Sequence, residues 1–332
     1  METTVFRGVP LPASRIGLGT WPMGGFQWGG TDDDESVRTI HAALDRGINL
    51  IDTAPAYGFG HSEEVVGRAI AERGARDRVV IATKVGLERQ GDGLVRNSSR
   101  KQIMEEVEVS LERLRTDYID LYQVHWPDPQ TPFEETASAL LELQKSGKIR
   151  AAGVSNYSVA AMERFASVMP LSSAQPPLNV FERDSEHEVL PWCHARGVAT
   201  ITYGALCRGL LTGTVDERTV FQGDDLRQTD PKFQPPRLGQ YLAAVKLIER
   251  YARERYDKGL IAFAVRWVLD RPGVSTALWG ARHPSELDPV EEIMTFQLDD
   301  EAKAYVEHVL AECVHDPVGP EFMAPPERAA AA

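Results

Sequence analysis

Eight short apolar runs are strung along this 332-residue chain, and amphipathic stretches separate them. The runs are RIGLGTW (15–21), INLIDTA (48–54), VVIATKV (79–85), YIDLYQVH (118–125), IRAAGVSN (149–156), LSSAQ (171–175), VATITYG (198–204) and VSTALWG (274–280). Each is rich in β-branched or small apolar residues and stops at a polar cluster, as a strand buried on both faces does. Between them, DDESVRTIHAALDRG, SEEVVGRAIAERG, SRKQIMEEVEVSLERLR and PFEETASALLELQKSG repeat apolar residues at i, i+3, i+4 and i+7. They carry acid early, base late and glycine at the stop, so they read as helices. Strand–helix alternation predicts a parallel sheet with helical crossovers. Eight such units predict an α/β fold, a closed (β/α)8 TIM barrel, with residues 1–332 in a single domain. An open doubly wound sheet would carry a GxGxxG turn after its first strand. Gly17, Gly19, Gly24, Gly25, Gly29 and Gly30 stand there, but no such turn leads into a helix.

Two segments escape the repeat. Residues 213–240 form a long polar connection after the seventh run, a length that usually marks a functional flap or a disordered segment. Residues 316–332, rich in Pro, Gly and Ala without periodicity, are expected to be a loose C-terminal tail.

The charge balance narrows the partners. Lys and Arg number 36 against 49 Asp and Glu, a net charge of −13. That disfavours nucleic acid and anionic membranes, which need clustered cations. No apolar run is long enough for a transmembrane helix, and the N-terminus does not read as a signal peptide. Cys193, Cys207 and Cys313 lack CxxC spacing, so free thiols in a cytoplasmic protein are expected. The acidic residues fall largely in the helical stretches, which places them on the outer ring. Nothing in the sequence specifies an oligomeric state.

A barrel enzyme builds its site at the C-terminal ends of its strands. Asp52, Lys84, His125, Asn156, Gln175 and Tyr203 each break an apolar run at that end. A single one reads as a satisfied core polar group; the ordered set points to a shared polar site. Asp52, Lys84 and His125 can meet there, with Tyr57 on the loop after Asp52. An ammonium beside a phenol lowers its pKa, and an Asp keeps the ammonium charged out of water. A neutral His can orient a carbonyl, so the group can donate a proton to an oxygen gaining charge. The competing reading is a structural Asp52–Lys84 ion pair with Tyr57 packed beside it. Other chemistries fit less well. One strand-end His is too few for a metal hydrolase, so no metal is expected. A glycosidase needs two carboxylates, and a GxSxG elbow is missing.

The second half reads as a nucleotide surface. Ser155, Asn156 and Gln175 can bond a carboxamide, and Tyr203 can stack on a flat heterocycle. Gly209 and Gly213 bracket a turn whose backbone N–H groups can meet a pyrophosphate. Arg282 opens a short helix after the eighth run, where it can grip a phosphate.

In these residues the sequence resembles the aldo-keto reductase superfamily. NLIDTAPAYGFGHSEEVVGRAI is similar to the family's first signature, with its Asp and Tyr. IATKVG carries the Lys, and DLYQVHWPDPQTPFEETASALLELQKSGKIRAAGVSN carries the His and the Ser-Asn pair. AQPPLNVFERD, ITYGALCRGLLTG and WGARHPSEL continue the order, so the resemblance spans roughly residues 5–312. It is closest to bacterial branches acting on sugars and small carbonyls.

The resemblance implies a barrel that binds NADPH/NADP+, with NADH/NAD+ also possible, and that reduces small aldehydes and ketones or oxidises alcohols. It implies Tyr57 as general acid, Lys84 and Asp52 tuning it, and His125 positioning the carbonyl. It implies cofactor contacts from Ser155, Asn156, Gln175, Tyr203, Leu206, Arg208, Gly209, Leu210, Gly280, Arg282 and Glu286. Residues 213–240 become a loop that covers the cofactor. Leu178, Glu286 and Val290 depart from the Tyr, Gln and Asn that related sequences often carry. An acidic Glu286 is unfavourable beside a 2′-phosphate and makes NADH competitive if it bonds ribose hydroxyls. Trp21, Trp28 and Trp126, with Phe26 and Tyr57, can wall the substrate pocket. The alternative is a nucleotide-sensing regulatory subunit on the same fold, similar to the channel-associated β subunits.

Overall fold

The computed structural model describes residues 1–329. The eight runs become β1 (Ile16–Gly19), β2 (Leu50–Asp52), β3 (Val80–Val85), β4 (Ile119–Val124), β5 (Ile149–Ser155), β6 (Ser173–Gln175), β7 (Ala199–Thr202) and β8 (Thr276–Gly280). Neighbours pair in parallel around the ring, and β8 returns to β1 to close an eight-stranded barrel. Closure buries both faces of each strand, which explains the continuous apolar runs. Gly17 sits at a tight point of the wall. A Cβ there would stand 2.8 Å from Leu278 Cδ2 and 3.0 Å from Leu50 Cδ2.

The helices follow their predicted stretches. They are α1 (Asp33–Asp45), α2 (His61–Arg73), α3 (Arg100–Leu114) and α4 (Phe133–Lys145) in the first half. Asp32 and Ser99 accept N-cap bonds from Glu35 N and Gln102 N. Each cap satisfies an orphan donor and favours the start of its helix.

Two hairpins are absent from the sequence prediction. Thr3–Thr4 pairs with Ala13–Ser14 and carries Phe6, Val9 and Ala13 into the floor of the barrel. There they pack with Leu50, Val80, Leu121, Ile201 and Leu278. Leu87–Gln90 pairs with Gly93–Arg96 directly after β3. Both were hidden because their strands are too short to show a period.

The predicted flap is shorter than 213–240, since a helix already spans Arg237–Tyr256. Its residues include two 3-10 turns, Leu226–Gln228 and Pro231–Phe233, held by Asp225 and Asp230 capping bonds. Asp224 accepts from Gln27 N and Gly29 N, at 2.7 and 3.1 Å, and Leu226 N donates to Gln27 O. The flap is thereby fastened to the loop after β1.

The tail expected to be loose is fastened through residue 328. Arg96 donates from Nε to Pro325 O at 2.8 Å and from its backbone N to Pro326 O at 3.1 Å. Arg328 pairs with Asp128 and donates to Asn97 and Thr131. Aperiodic sequence signals missing regular structure, yet specific hydrogen bonds can still order such a segment. Residues 330–332 of the predicted tail lie outside the described residues.

Candidate active site

The interior of the barrel changes from apolar to polar near the C-terminal ends of its strands. Lys84 lies there with its three ammonium hydrogens directed at three oxygens. These are Asp52 Oδ1 at 2.5 Å, Tyr57 Oη at 3.0 Å and Thr53 O at 3.1 Å. Asp52 and Lys84 are each 1% exposed, so neither charge is stabilised by bulk water. Their pairing and hydrogen bonds are what make the burial tolerable. Burial pulls the Lys84 pKa down, but Asp52 and then Tyr57 pull harder, and the net shift is upward. Lys84 is therefore held as a cation.

Asp52 is bonded on its other oxygen as well. Gln175 Nε2 donates to Oδ2 at 2.7 Å, and Gln123 Nε2 approaches the same oxygen at 3.4 Å. Gln123 was missed in the sequence, although it lies on β4 two residues before His125, which follows the strand's end, and period two turns both the same way.

Tyr57 differs from the sequence expectation in one respect. Desolvation raises its pKa more than Lys84 lowers it, so the net direction is up. The phenol is protonated at neutral pH. His125 is driven well below the usual imidazole value, by burial first and by Lys84 second, and is neutral. Its ring meets the Tyr57 ring edge-on, with centroids 5.7 Å apart. Asn156 Nδ2 donates to His125 O at 3.0 Å, while Asn156 Oδ1 accepts from Tyr203 Oη at 2.8 Å. Ser155 Oγ donates to Gln175 O. Asn156 has φ of +60°, a left-handed turn that Asn tolerates better than most residues.

The Tyr57 loop is seated by two glycines. Gly58 has φ of +64°, and a Cβ on it would stand 2.1 Å from Gly24 O. A Cβ on Gly24 would stand 2.5 Å from the Tyr57 carbonyl carbon. Trp21 then stacks on Tyr57, centroids 5.9 Å apart at 22°, and Trp28 meets Trp21 edge-on.

A cleft of about 830 Å³ opens over this centre. Asp52, Tyr57, His125, Ser155, Asn156, Gln175 and Tyr203 face it at one end. It then passes Leu206, Arg208 and Gly209 to Gly280, Arg282 and Glu286. Trp21, Trp28 and Trp126 line it too, and Lys84 lies beneath it. Further walls come from elements the sequence prediction did not place there. Leu87 and Leu94 belong to the second hairpin, and Phe322 to Pro326 belong to the tail.

One expected contact, Leu210, is not at the cleft, and two others, Arg208 and Arg282, line it with their guanidinium groups engaged. Leu210 is fully buried in the apolar core and absent from the cleft lining. Arg208 reaches the cleft, but its guanidinium is not free. It donates to Asp230 at 2.5 Å and to Glu182 at 2.6 Å, and Lys232 joins Glu182 at 2.8 Å. A cation read from sequence carries no sign of the carboxylates that fold onto it. Arg282 stands just before the short helical turn Pro284–Leu287 and lines the cleft, as expected. Its guanidinium donates to Trp28 O at 3.2 Å and Gly30 O at 2.5 Å. Glu286 accepts from Arg282 N and His283 N, capping the short turn Pro284–Leu287. Val290 and Leu178 are buried.

Residues 15–311 match the aldo/keto reductase family. The chain belongs to that family. It is 55% identical over 328 residues to an aldo-keto reductase of Bacillus subtilis (strain 168), covering 99% of each chain. It is 36% identical to an NADH-specific methylglyoxal reductase of Escherichia coli (strain K12), covering 92% of this chain and 96% of that one. A solved glycerol dehydrogenase from Gluconobacter oxydans superposes with a TM-score of 0.88 at 51% identity, over 97% of this chain and 99% of the other. As a family member the chain is an oxidoreductase that uses a nicotinamide cofactor, and the regulatory alternative finds no support among these relatives. No helix among the described residues is long and apolar enough to cross a membrane.

Proposed function

We propose that this aldo-keto reductase reduces small aldehydes and ketones, or oxidises the matching alcohols, with Tyr57 as the proton donor. The observation that carries the reading is the Asp52–Lys84–Tyr57 chain, with neutral His125 beside it at the floor of the cleft. The donor set fits a nicotinamide dinucleotide. Tyr203 offers a flat ring, and Asn156 and Gln175 offer amides next to it. The Leu206–Gly209 segment and the 280–286 turn line the remaining length. When bound, the nicotinamide supplies or receives the hydride.

The chain's own residues do the rest. His125 and the Tyr57 hydroxyl converge on the carbonyl oxygen and fix its position. Tyr57 gives that oxygen its proton, and in the oxidative direction it takes one back. Lys84 stabilises the phenolate left behind, and Asp52 keeps Lys84 charged while it does so. Trp21, Trp28 and Trp126, with the tail, form an apolar wall that excludes water.

The cofactor choice rests on opposed groups at the far end of the cleft. Arg282 and Glu286 both line the cleft, where Arg282 would offer a guanidinium to a 2′-phosphate and Glu286 a carboxylate that would repel one. We propose that both NADPH and NADH are accepted, with Arg282 favouring the phosphorylated form. The three unpaired cysteines suit a reducing compartment, and we propose the cytoplasm, with no nucleic acid or membrane partner.

The test combines cofactor titration by protein fluorescence with turnover of DL-glyceraldehyde, methylglyoxal and glycerol. Tyr57→Phe should bind cofactor like the wild type while kcat falls by about 10²- to 10⁴-fold. Unchanged turnover in that variant removes Tyr57 from the role.

A further inference from the structure

Inside the barrel, one amide is held in a line that ends at the proton donor. Gln123 is wholly buried on β4. Its Oε1 accepts from Ser173 Oγ at 3.0 Å, and the Asp52 carboxylate on the other side, an acceptor only, fixes which way the amide points. Its Nε2 then faces Asp52 Oδ2, the oxygen that Gln175 also bonds. The backbone makes room for this contact. A Cβ on Gly153 would stand 2.2 Å from Ser173 Oγ and 3.0 Å from Gln123 Cγ. The line therefore runs from Ser173 through Gln123, Asp52 and Lys84 to Tyr57.

Asp52 has two oxygens with different duties. Oδ1 bonds the ammonium, and Oδ2 receives only neutral amide donors. Neutral donors favour the carboxylate without competing with Lys84 for its charge. They also hold the carboxylate plane, so that Oδ1 stays aimed at Nζ. An apolar residue at 123 would leave both Ser173 Oγ and an Asp52 lone pair short of a partner, in a place water does not reach.

We propose that Gln123 is a positioning residue for the reaction, acting on Tyr57 through Asp52 and Lys84. The proposal rests on Tyr57 being the proton donor. Gln123 does not line the cleft, so it acts without touching substrate or cofactor.

The experiment compares wild type, Gln123→Met, Ser173→Ala and Tyr57→Phe. Glycerol oxidation is the readout, because that direction needs Tyr57 deprotonated and its kcat should therefore rise with pH. In Gln123→Met, Lys84 stabilises the phenolate less well. The rising limb should move to higher pH by about one unit, and kcat at neutral pH should fall about ten-fold. KM and the cofactor Kd, measured by fluorescence without turnover, should stay within about two-fold. Ser173→Ala keeps the amide but frees its orientation, so it should shift the limb the same way by less. It carries the test if Gln123→Met does not fold. A limb and kcat identical to wild type in a folded variant overturn the proposal. So does a loss confined to KM or cofactor Kd. If Tyr57→Phe retains the rising limb, the proton-donor reading fails first and the proposal falls with it.

Discussion

Lys84 and Asp52 meet at 2.5 Å in a place where each side chain is almost wholly shielded from water. Removing one partner leaves the other as a buried, uncompensated charge. Lys84→Met should therefore destabilise the fold by about 3–5 kcal/mol. The double variant Lys84→Met/Asp52→Asn should regain part of that loss, because no lone charge remains. Urea unfolding of both variants checks this. A double variant no more stable than Lys84→Met would show that packing, not charge, sets the cost.

Arg282 is the second lever. Its guanidinium holds the loop at Trp28 and Gly30 by donating to two carbonyl oxygens. Arg282→Ala should weaken NADPH by about 1–3 kcal/mol, as expected for a lost charge-assisted bond. NADH should weaken less, since only the loop anchoring is lost. Fluorescence titration with both cofactors decides the matter. Equal losses would assign Arg282 to loop anchoring alone.

Glu106 gives a pH dependence. It accepts from Gly86 N and Gln102 Nε2 beside buried Glu63. Burial, more than any neighbour, pushes its pKa up to about 8. The unfolded value is near 4.5, so the unfolded chain releases this proton first as pH rises. Its contribution to stability is fully present below pH 4.5 and is lost as pH rises through about 8. Glu106→Gln should remove that loss, making the variant gain on wild type between about pH 4.5 and 8. Thermal unfolding across that range tests it, and parallel curves would contradict it.

The tail offers a fourth test. Arg96 and Arg328 fasten it so that Phe322 and Met323 line the cleft. Arg328→Ala removes the Asp128 pair and two hydrogen bonds at a partly exposed site. KM for the carbonyl should rise several-fold while cofactor Kd stays within about two-fold. An unchanged KM would show that Arg96 alone holds the wall.

The strands, the main helices and the Asp52, Tyr57, Lys84, His125 set were legible because each rests on a local pattern. A continuous apolar run marks a strand buried on both faces, and a polar residue at its end marks the rim of a barrel. What escaped depends on long-range partners. Arg208 looks like a free cation until Glu182 and Asp230 fold onto it. The tail looks loose until Arg96, seated on a hairpin more than two hundred residues earlier, takes its carbonyls. Gly24 and Gly58 look like ordinary loop glycines until their backbones meet. Gln123 was within reach, since it turns the same way as His125, but an amide inside an apolar run draws less notice than a charge.

The arginines around the cleft are already engaged. Arg208 is held by Glu182 and Asp230, Arg227 by Asp225, and Arg282 by two carbonyls. Carboxylates cancel Arg208 and Arg227, and Arg282, bonded only to neutral carbonyls, leaves one unpaired cation there among the described residues against the net charge of −13. A polyanionic dinucleotide would approach such a protein against a repulsive potential. Added salt should screen that repulsion and speed association, the reverse of what attractive steering produces. Stopped-flow on-rates measured from about 10 mM to 300 mM salt, spanning Debye lengths of roughly 30 Å to under 8 Å, should rise rather than fall.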